Sequence, residues 1–269
     1  MVKLAVFDLD DTLLKSDKTL DSKTVSTIHA LKKRGVAIAI ATGRNIPMSM
    51  PFAKTLGCDG LLAGNNGSVI IDIMSEKVVE THHIDKTAQA KTIEYATRHN
   101  IPFVIYTQAG VYTPNAKRIT VYEDWNARQP EYAVRYEEVA LLDTLKALDA
   151  HKILMIIESP EMFKTTYAHF QNLDDAHATK SSTHYIDVLP QNISKAYALR
   201  RFMEYYGVDA GETMAFGDSD NDSEMLEHAG VSYAMKNATT RAKHAADKVT
   251  DYDNNNTGVA RVLKTSFKL

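Results

Sequence analysis

Cysteine is nearly absent from the 269-residue chain: Cys58 stands alone, so no disulfide can form within it. It lies in Leu56-Gly57-Cys58-Asp59-Gly60 with no histidine beside it, and reads as a small core side chain rather than a nucleophile. Long apolar runs are missing too; none approaches the roughly 20 residues that a membrane helix needs. Nor is there an excess of positive charge. Lysine and arginine number 31 against 34 aspartates and glutamates, a formal net charge of −3, which argues against a nucleic-acid binder that works through bulk charge. No internal repeat is visible, and the only low-complexity tract is Asn254-Asn255-Asn256, which reads as a loop. The chain enters an apolar strand at once, without a signal-like segment. The expectation is a soluble cytoplasmic protein, a monomer or weak homo-oligomer, with no membrane or nucleic-acid partner. With 44% hydrophobic and 24% charged residues, it has the composition of an ordinary globular protein of one large or two smaller domains.

What the chain does have is a concentration of acids behind its first strand. Leu4-Ala5-Val6-Phe7 is a buried-strand pattern, and Asp8, Asp10 and Asp11 follow within four residues. A parallel strand presents such residues at its carboxyl edge, where open α/β sheets bind ligands. Packing gives no reason for them, because a buried unpaired carboxylate costs several kcal/mol on the order-of-magnitude scale of charge burial. A metal ion would supply the missing positive charge. The plainer alternative is that they cap a helix or line a solvated loop.

Beyond the acids, residues 22–34 have helical spacing at Val25, Ile28 and Leu31, a basic last turn and Gly35 as a stop. Residues 36–41 form a second apolar strand that ends in Thr42-Gly43-Arg44. A right-handed crossover sets Thr42 beside Asp8 at one edge. A helix over 46–56, a strand over 61–63, a turn at Gly64-Asn65-Asn66-Gly67-Ser68 and a hairpin over 69–80 follow. From about His82 to Pro190 the pattern changes to mixed α+β. Helices are expected over 86–100, 140–150 and 160–172, with strands over 103–106, 110–113, 152–157 and 183–188. About a hundred residues suffice for a domain. We therefore expect a core of 1–82 and 190–269, a doubly wound, Rossmann-like parallel α/β sheet, with 83–189 inserted as an α+β cap. The core resumes with Ser194 as a helix N-cap, Lys195 and a helix to Tyr206. A strand over 213–216 then ends in Gly217-Asp218-Ser219-Asp220-Asn221-Asp222.

Four strand ends thus bring polar groups to one edge: Asp8 and Asp10; Thr42 and Gly43; Asn66; Asp218 and Asp222. Oxygen ligands, few of them and joined by a substrate phosphate, favour magnesium over calcium. A lysine, a hydroxyl and free backbone N–H groups suit a phosphoryl group. Two acids one residue apart can divide the work of nucleophile and of acid and base. Taken singly, each residue has a simpler reading. Thr42 could cap a helix, Lys195 could be a solvated lysine, and Arg44 could meet substrate or an acid. Asp220 reads as a solvated loop acid, and Tyr122 and Trp125 as packing.

Together, Asp8-Leu9-Asp10-Asp11-Thr12 resembles the first motif, D-x-D-x-T, of the haloacid dehalogenase superfamily. Thr42-Gly43-Arg44, Lys195 and the run from Gly217 to Asp222 resemble its second, third and fourth motifs, in order. The large insertion is similar to that of the Cof-type sugar-phosphate phosphatases. Ala196 departs from the glycine common after the lysine, and leaves Lys195 intact. The resemblance implies a phosphatase of small phosphorylated metabolites, sugar phosphates among them. It implies that Asp8 attacks phosphorus and forms an aspartyl-phosphate, while Asp10 protonates the leaving oxygen and then activates water. It implies Mg2+ on the Asp8 carboxylate, the Asp10 carbonyl and Asp218, with Asp222 as ligand or support. Thr42, Gly43 and Lys195 would hold the phosphoryl group, and Asn221 the loop or the phosphate. A phosphomutase with the same intermediate, or a phosphate-binding protein without turnover, are the alternatives.

Overall fold

The computed structural model describes residues 1–115, 119–173 and 175–269. Among these residues, an eight-stranded sheet forms from the two ends of the chain. Its strands are β1 (Leu4–Phe7), β2 (Ala37–Ala41), β3 (Leu61–Gly64), β4 (Val69–Asp72) and β5 (Lys77–Thr81), then β12 (Thr213–Gly217), β13 (Val231–Ala234) and β14 (Lys248–Val249). Their order is β14-β13-β12-β1-β2-β3-β4-β5. β14 through β3 are parallel, whereas β4 and β5 close one edge antiparallel. β1 lies between β2 and β12, so the strand order reverses there. That is the crevice in which doubly wound sheets bind ligands. Phe7 and Phe216 stack with centroids 5.3 Å apart and fix the β1–β12 register directly beneath the strand ends.

Local signals explain the helices that matter to this edge. α1 (Ser22–Lys33) starts on Asp21, whose side chain accepts from Lys23 N, and buries Ile28 and Leu31. α2 (Ile46–Thr55) starts on Asn45, which accepts from Met48 N, with Pro47 in its first turn. α7 (Lys195–Tyr206) ends on Gly207 in the left-handed region at φ 62°. Ser194 takes the N-cap place, but its hydroxyl does not cap: it donates to Glu224 Oε2 at 2.7 Å. The expected capping bond therefore gives way to a tie between α7 and α8 (Ser223–His228).

After β5 the chain leaves this sheet and returns with α7. In between it forms a six-stranded sheet in the order β10-β11-β9-β6-β7-β8. The strands are β6 (Phe103–Thr107), β7 (Val111–Thr113), β8 (Tyr136–Glu138), β9 (Ala150–Ile156), β10 (Ala176–Lys180) and β11 (Tyr185–Pro190). The strand period of two gives the sheet two faces. Phe103, Ile105, Ile153, Met155, Ile186 and Val188 form a buried cluster with Ile93 of α3 (Lys86–Arg98) and Phe170 of α6 (Pro160–Phe170). Val104, Tyr106, Leu154 and Ile156 lie on the opposite face. They pack with Tyr122 and Trp125 of α4 (Thr120–Arg128), and with Met48 and Phe52 of α2.

The sequence pattern departs from the structure mainly in this block. The helix expected over 140–150 is only α5 (Leu142–Ala147), because Ala150 already pairs in β9. β8, β10 and α4 were not expected at all. Ala176-His177-Ala178-Thr179-Lys180 alternates small and polar side chains, a pattern that carries little strand signal. In the core, the last helix, expected over 257–265, spans Gly258–Phe267, one residue later at its start and two at its end.

Candidate active site

The edge acids are positioned by the β1 turn and by the loop after β12. The backbone turns sharply over Leu9–Leu13, with Asp11 in the left-handed region at φ 57°. Asp8 N donates to Phe216 O at 3.1 Å. Thr12 Oγ1 donates to Asp218 Oδ1 at 2.9 Å. Asp222 Oδ2 accepts from the backbone amides of Asp218 (3.0 Å) and Ser219 (2.9 Å), and so holds the loop after β12 in shape. Gly217 is required for this approach. A Cβ there would lie 2.5 Å from Asp222 Cβ.

Lys195 reaches into the cluster from the start of α7. Only 1% exposed, its Nζ donates to Asp8 Oδ1 and to Asp222 Oδ1, both at 2.6 Å. The reading of Lys195 as a solvated lysine is therefore set aside. Asp8, Asp218 and Asp222 offer carboxylate oxygens that all lie within 4.8 Å of one another. Three acids thus face one ammonium. Burial works to lower the pKa of Lys195, but Asp222 and Asp8 outweigh it and raise it. Asp8 and Asp218 are the surplus acids. Burial pushes the Asp8 carboxyl up to about 7; Lys195 opposes this, and Asp222 and Asp10 add to it. Burial, with Asp8 and Asp222, likewise raises Asp218 well above the usual carboxylate range. An all-oxygen donor set with excess negative charge fits a hard divalent cation. Asp8 Oδ2 and Asp218 Oδ2 are the oxygens not taken by the bonds described.

Asp10 points elsewhere. Arg44 Nε donates to its Oδ2 at 2.6 Å and Arg44 Nη2 to its Oδ1 at 2.7 Å, a two-pronged pairing. Lys18 Nζ stands 3.1 Å from Oδ1. Burial acts to raise the carboxyl, but Arg44 and Lys18 prevail and hold it at about 2. Of the two roles open to Arg44, this structure displays the ion pair. Asp10 is therefore held as a carboxylate, 36% exposed at its side chain and facing the open space above the cluster.

Thr42 is buried beside β1, and its hydroxyl accepts from Arg44 N at 3.2 Å. Gly43 and Asn221 meet at a chain of polar contacts that crosses to the second sheet. Asn221 Nδ2 donates to Asn66 Oδ1 (2.9 Å), and Asn66 Nδ2 donates to Asp187 Oδ2 (2.8 Å). Lys152 Nζ lies 3.4 Å from Asp187 Oδ1 and donates to Gly43 O at 2.7 Å. Asp187 is fully buried and Lys152 nearly so. Neither residue was singled out from the sequence. The available signal was a charged side chain within an apolar, alternating strand. Asp220 corrects the expectation of a solvated acid: its side chain is 12% exposed, accepts from Thr239 Oγ1 at 2.8 Å and lies 3.8 Å from Lys180 Nζ. Tyr122 and Trp125 do pack, as expected, although Tyr122 also lines the space above the acids.

A family model described as haloacid dehalogenase-like hydrolase matches residues 5–263. The phosphatase YwpJ of Bacillus subtilis is 26% identical over 284 residues, covering 98% of this chain and 99% of its own. The 5-amino-6-(5-phospho-D-ribitylamino)uracil phosphatase YitU of the same organism is 28% identical over 277 residues, with 99% and 98% covered. A solved haloacid dehalogenase-like hydrolase from B. subtilis superposes with a TM-score of 0.87 at 25% identity, covering 98% of this chain and 99% of that one. The chain belongs to the haloacid dehalogenase-like hydrolases, in their Cof-type group. Within that family it is a phosphatase. No helix among the described residues is long and apolar enough to cross a membrane.

Proposed function

We propose that the protein is a magnesium-dependent phosphatase of small organic phosphate monoesters, sugar phosphates included, that works through an aspartyl-phosphate. The observation that carries this reading is the cluster of Asp8, Asp218 and Asp222 around the single ammonium of Lys195, with Asp10 two residues from Asp8 on the same turn. Phosphoryl transfer needs mainly positioning and charge neutralisation, and this edge offers both. One Mg2+ ion, held by the Asp8 carboxylate, the Asp10 main-chain carbonyl and Asp218 with Asp222 behind, supplies charge neutralisation at the phosphoryl group.

Asp8 Oδ2 attacks phosphorus as the bond to the leaving oxygen breaks. Asp10 gives that oxygen a proton. A water molecule then loses a proton to Asp10 and attacks the phosphorus, the bond to Asp8 breaks, and inorganic phosphate leaves. Thr42, the Gly43 backbone, Lys195 and Asn221 orient the phosphoryl oxygens. Arg44 and Lys18, which hold Asp10 as an anion in the free protein, are close enough to turn to an incoming phosphate. That move releases Asp10 and raises its proton affinity beside the new negative charge. The block over 83–189 acts as a cap, and Lys152 and Asp187 are its contacts with the Gly43 loop and Asn66. The work belongs in the cytoplasm, where phosphorylated metabolites are held.

A turnover screen over sugar phosphates, nucleotides and cofactor phosphates with Mg2+ tests this. Free phosphate released with magnesium and lost with chelator supports it. A phosphoryl group moved to another position of the same sugar identifies a mutase instead. Binding without any product overturns the enzymatic reading.

A further inference from the structure

Lys152 lies within the apolar strand β9, where an aliphatic side chain would pack as well. It is 4% exposed. Its Nζ stands 4.5 Å from the centre of the Tyr106 ring and 3.4 Å from Asp187 Oδ1, and donates to Gly43 O at 2.7 Å. Stability does not account for such a buried ion pair, since apolar side chains of similar volume often serve a fold as well or better. What the lysine holds is one particular peptide unit, the one between Gly43 and Arg44. Lys152 donates to its carbonyl, and its N–H donates to Thr42 Oγ1 at 3.2 Å. Thr42 is the acceptor in that bond, so its own hydrogen is left for a phosphoryl oxygen. Ammonium, peptide and hydroxyl thus form one line of hydrogen bonds, in which each bond polarises the next. Gly43 has little room to move out of that line: a Cβ on it would lie 3.2 Å from Asn66 Oδ1.

We infer that Lys152, although it belongs to the inserted block, is a positioning residue for phosphoryl transfer: through the Gly43–Arg44 peptide it aims the Thr42 hydroxyl at the phosphoryl group. This rests on the phosphatase reading and deepens it. The lysine acts in this role whatever the leaving group is. A residue of the inserted block that only grips the leaving group would instead favour some substrates over others. The phosphoryl cradle is therefore complete only while β9 sits against the Gly43 loop. Asp187 serves the same end from below. Its Oδ1 faces the ammonium, and its Oδ2 accepts from Asn66 Nδ2 at 2.8 Å, which keeps the lysine in register with the loop it holds.

Orthovanadate with Mg2+ tests the inference, because it mimics the phosphoryl group in transfer and carries no leaving group. Lys152→Met alone would leave Asp187 buried without a cation. The comparison is therefore between Asp187→Asn, which keeps an acceptor for Asn66, and Asp187→Asn/Lys152→Met. Loss of the lysine should raise the calorimetric dissociation constant for vanadate roughly tenfold or more, and lower kcat/KM for p-nitrophenyl phosphate by a similar factor. The emission of Trp125, the only tryptophan, should stay where it is. Its ring packs on Phe52 of the core with centroids 6.2 Å apart, a contact that the substitutions leave alone. Equal vanadate affinities would overturn the inference. So would a red shift of Trp125, which would mean that the lysine merely holds the two sheets together. Failure of the phosphatase reading looks different: the parent binds vanadate but turns over no phosphate ester, and the two dissociation constants still decide the role of Lys152.

Discussion

Replacing the nucleophile should make the metal-free protein more stable. Burial lifts the Asp8 carboxyl from 3.8 to about 7, against the pull of Lys195 and with the push of Asp222 and Asp10. Between those two values the folded protein keeps a proton on Asp8 that the unfolded chain has lost. Stability therefore falls as pH rises through that window. The accumulated cost is about 2 kcal/mol at pH 5 and about 4 kcal/mol at pH 8, where Asp8 is ionised in both states. Asp8→Asn keeps the shape and removes the charge, and Lys195 keeps Asp222 at 2.6 Å. In urea unfolding with chelator, the variant should exceed the parent by about 4 kcal/mol at pH 8 and by about half of that at pH 5. Magnesium at a hundred times its dissociation constant should return about 2.7 kcal/mol to the parent and less to the variant. A variant less stable than the parent at pH 8 in chelator, or a gap that widens as pH falls, would refute the assignment of Asp8 as a surplus acid.

Other consequences can be checked with standard assays. Chelator should abolish turnover and Mg2+ restore it, whereas Ca2+, with its larger and looser shell, should restore it poorly; full activity in excess chelator would remove the metal from the account. Gly217→Ala puts a Cβ 2.5 Å from Asp222 Cβ. It should cost roughly a hundred-fold or more in kcat with an unchanged circular dichroism spectrum, and near-parental activity would mean that Asp222 has room to move. Arg44→Lys keeps a charge but loses the two-pronged contact that helps hold Asp10 at about 2. As Asp10 rises toward its ordinary value, more of it carries the proton that the first step needs, and the alkaline limb of the kcat/KM profile should move to higher pH; an unmoved limb would show that another group sets it.

The core was readable because its signals are local and agree with one another. Leu4–Phe7 and Ala37–Ala41 are short apolar runs that can only be buried strands, and the polar residues behind them must lie at one sheet edge. The roles of particular atoms were not legible. Asp10 and Asp8 are two residues apart in sequence, yet one is held at about 2 and the other raised to about 7. The difference depends on Arg44 and Lys195, which arrive from distant parts of the chain. Lys152 and Asp187 escaped notice because a charge in a strand gains meaning only when its partner is known, and Asn66 and Gly43 lie on another sheet. The second block was read less well for a related reason. Its strands have two apolar faces or mixed composition, and pairing rather than propensity decides which segments become strands.

Trapping the phosphorylated enzyme tests the central claim most directly. General acid–base help is worth roughly a hundred- to ten-thousand-fold, but p-nitrophenolate leaves well without a proton. Asp10→Asn given p-nitrophenyl phosphate and Mg2+ should therefore be phosphorylated quickly and hydrolysed slowly. Rapid acid quench followed by peptide mass spectrometry should show a burst of nitrophenol and a matching amount of phosphate covalently on Asp8, absent in Asp8→Asn. Phosphate on another residue, or steady turnover by Asp8→Asn near the parent rate, would contradict the account.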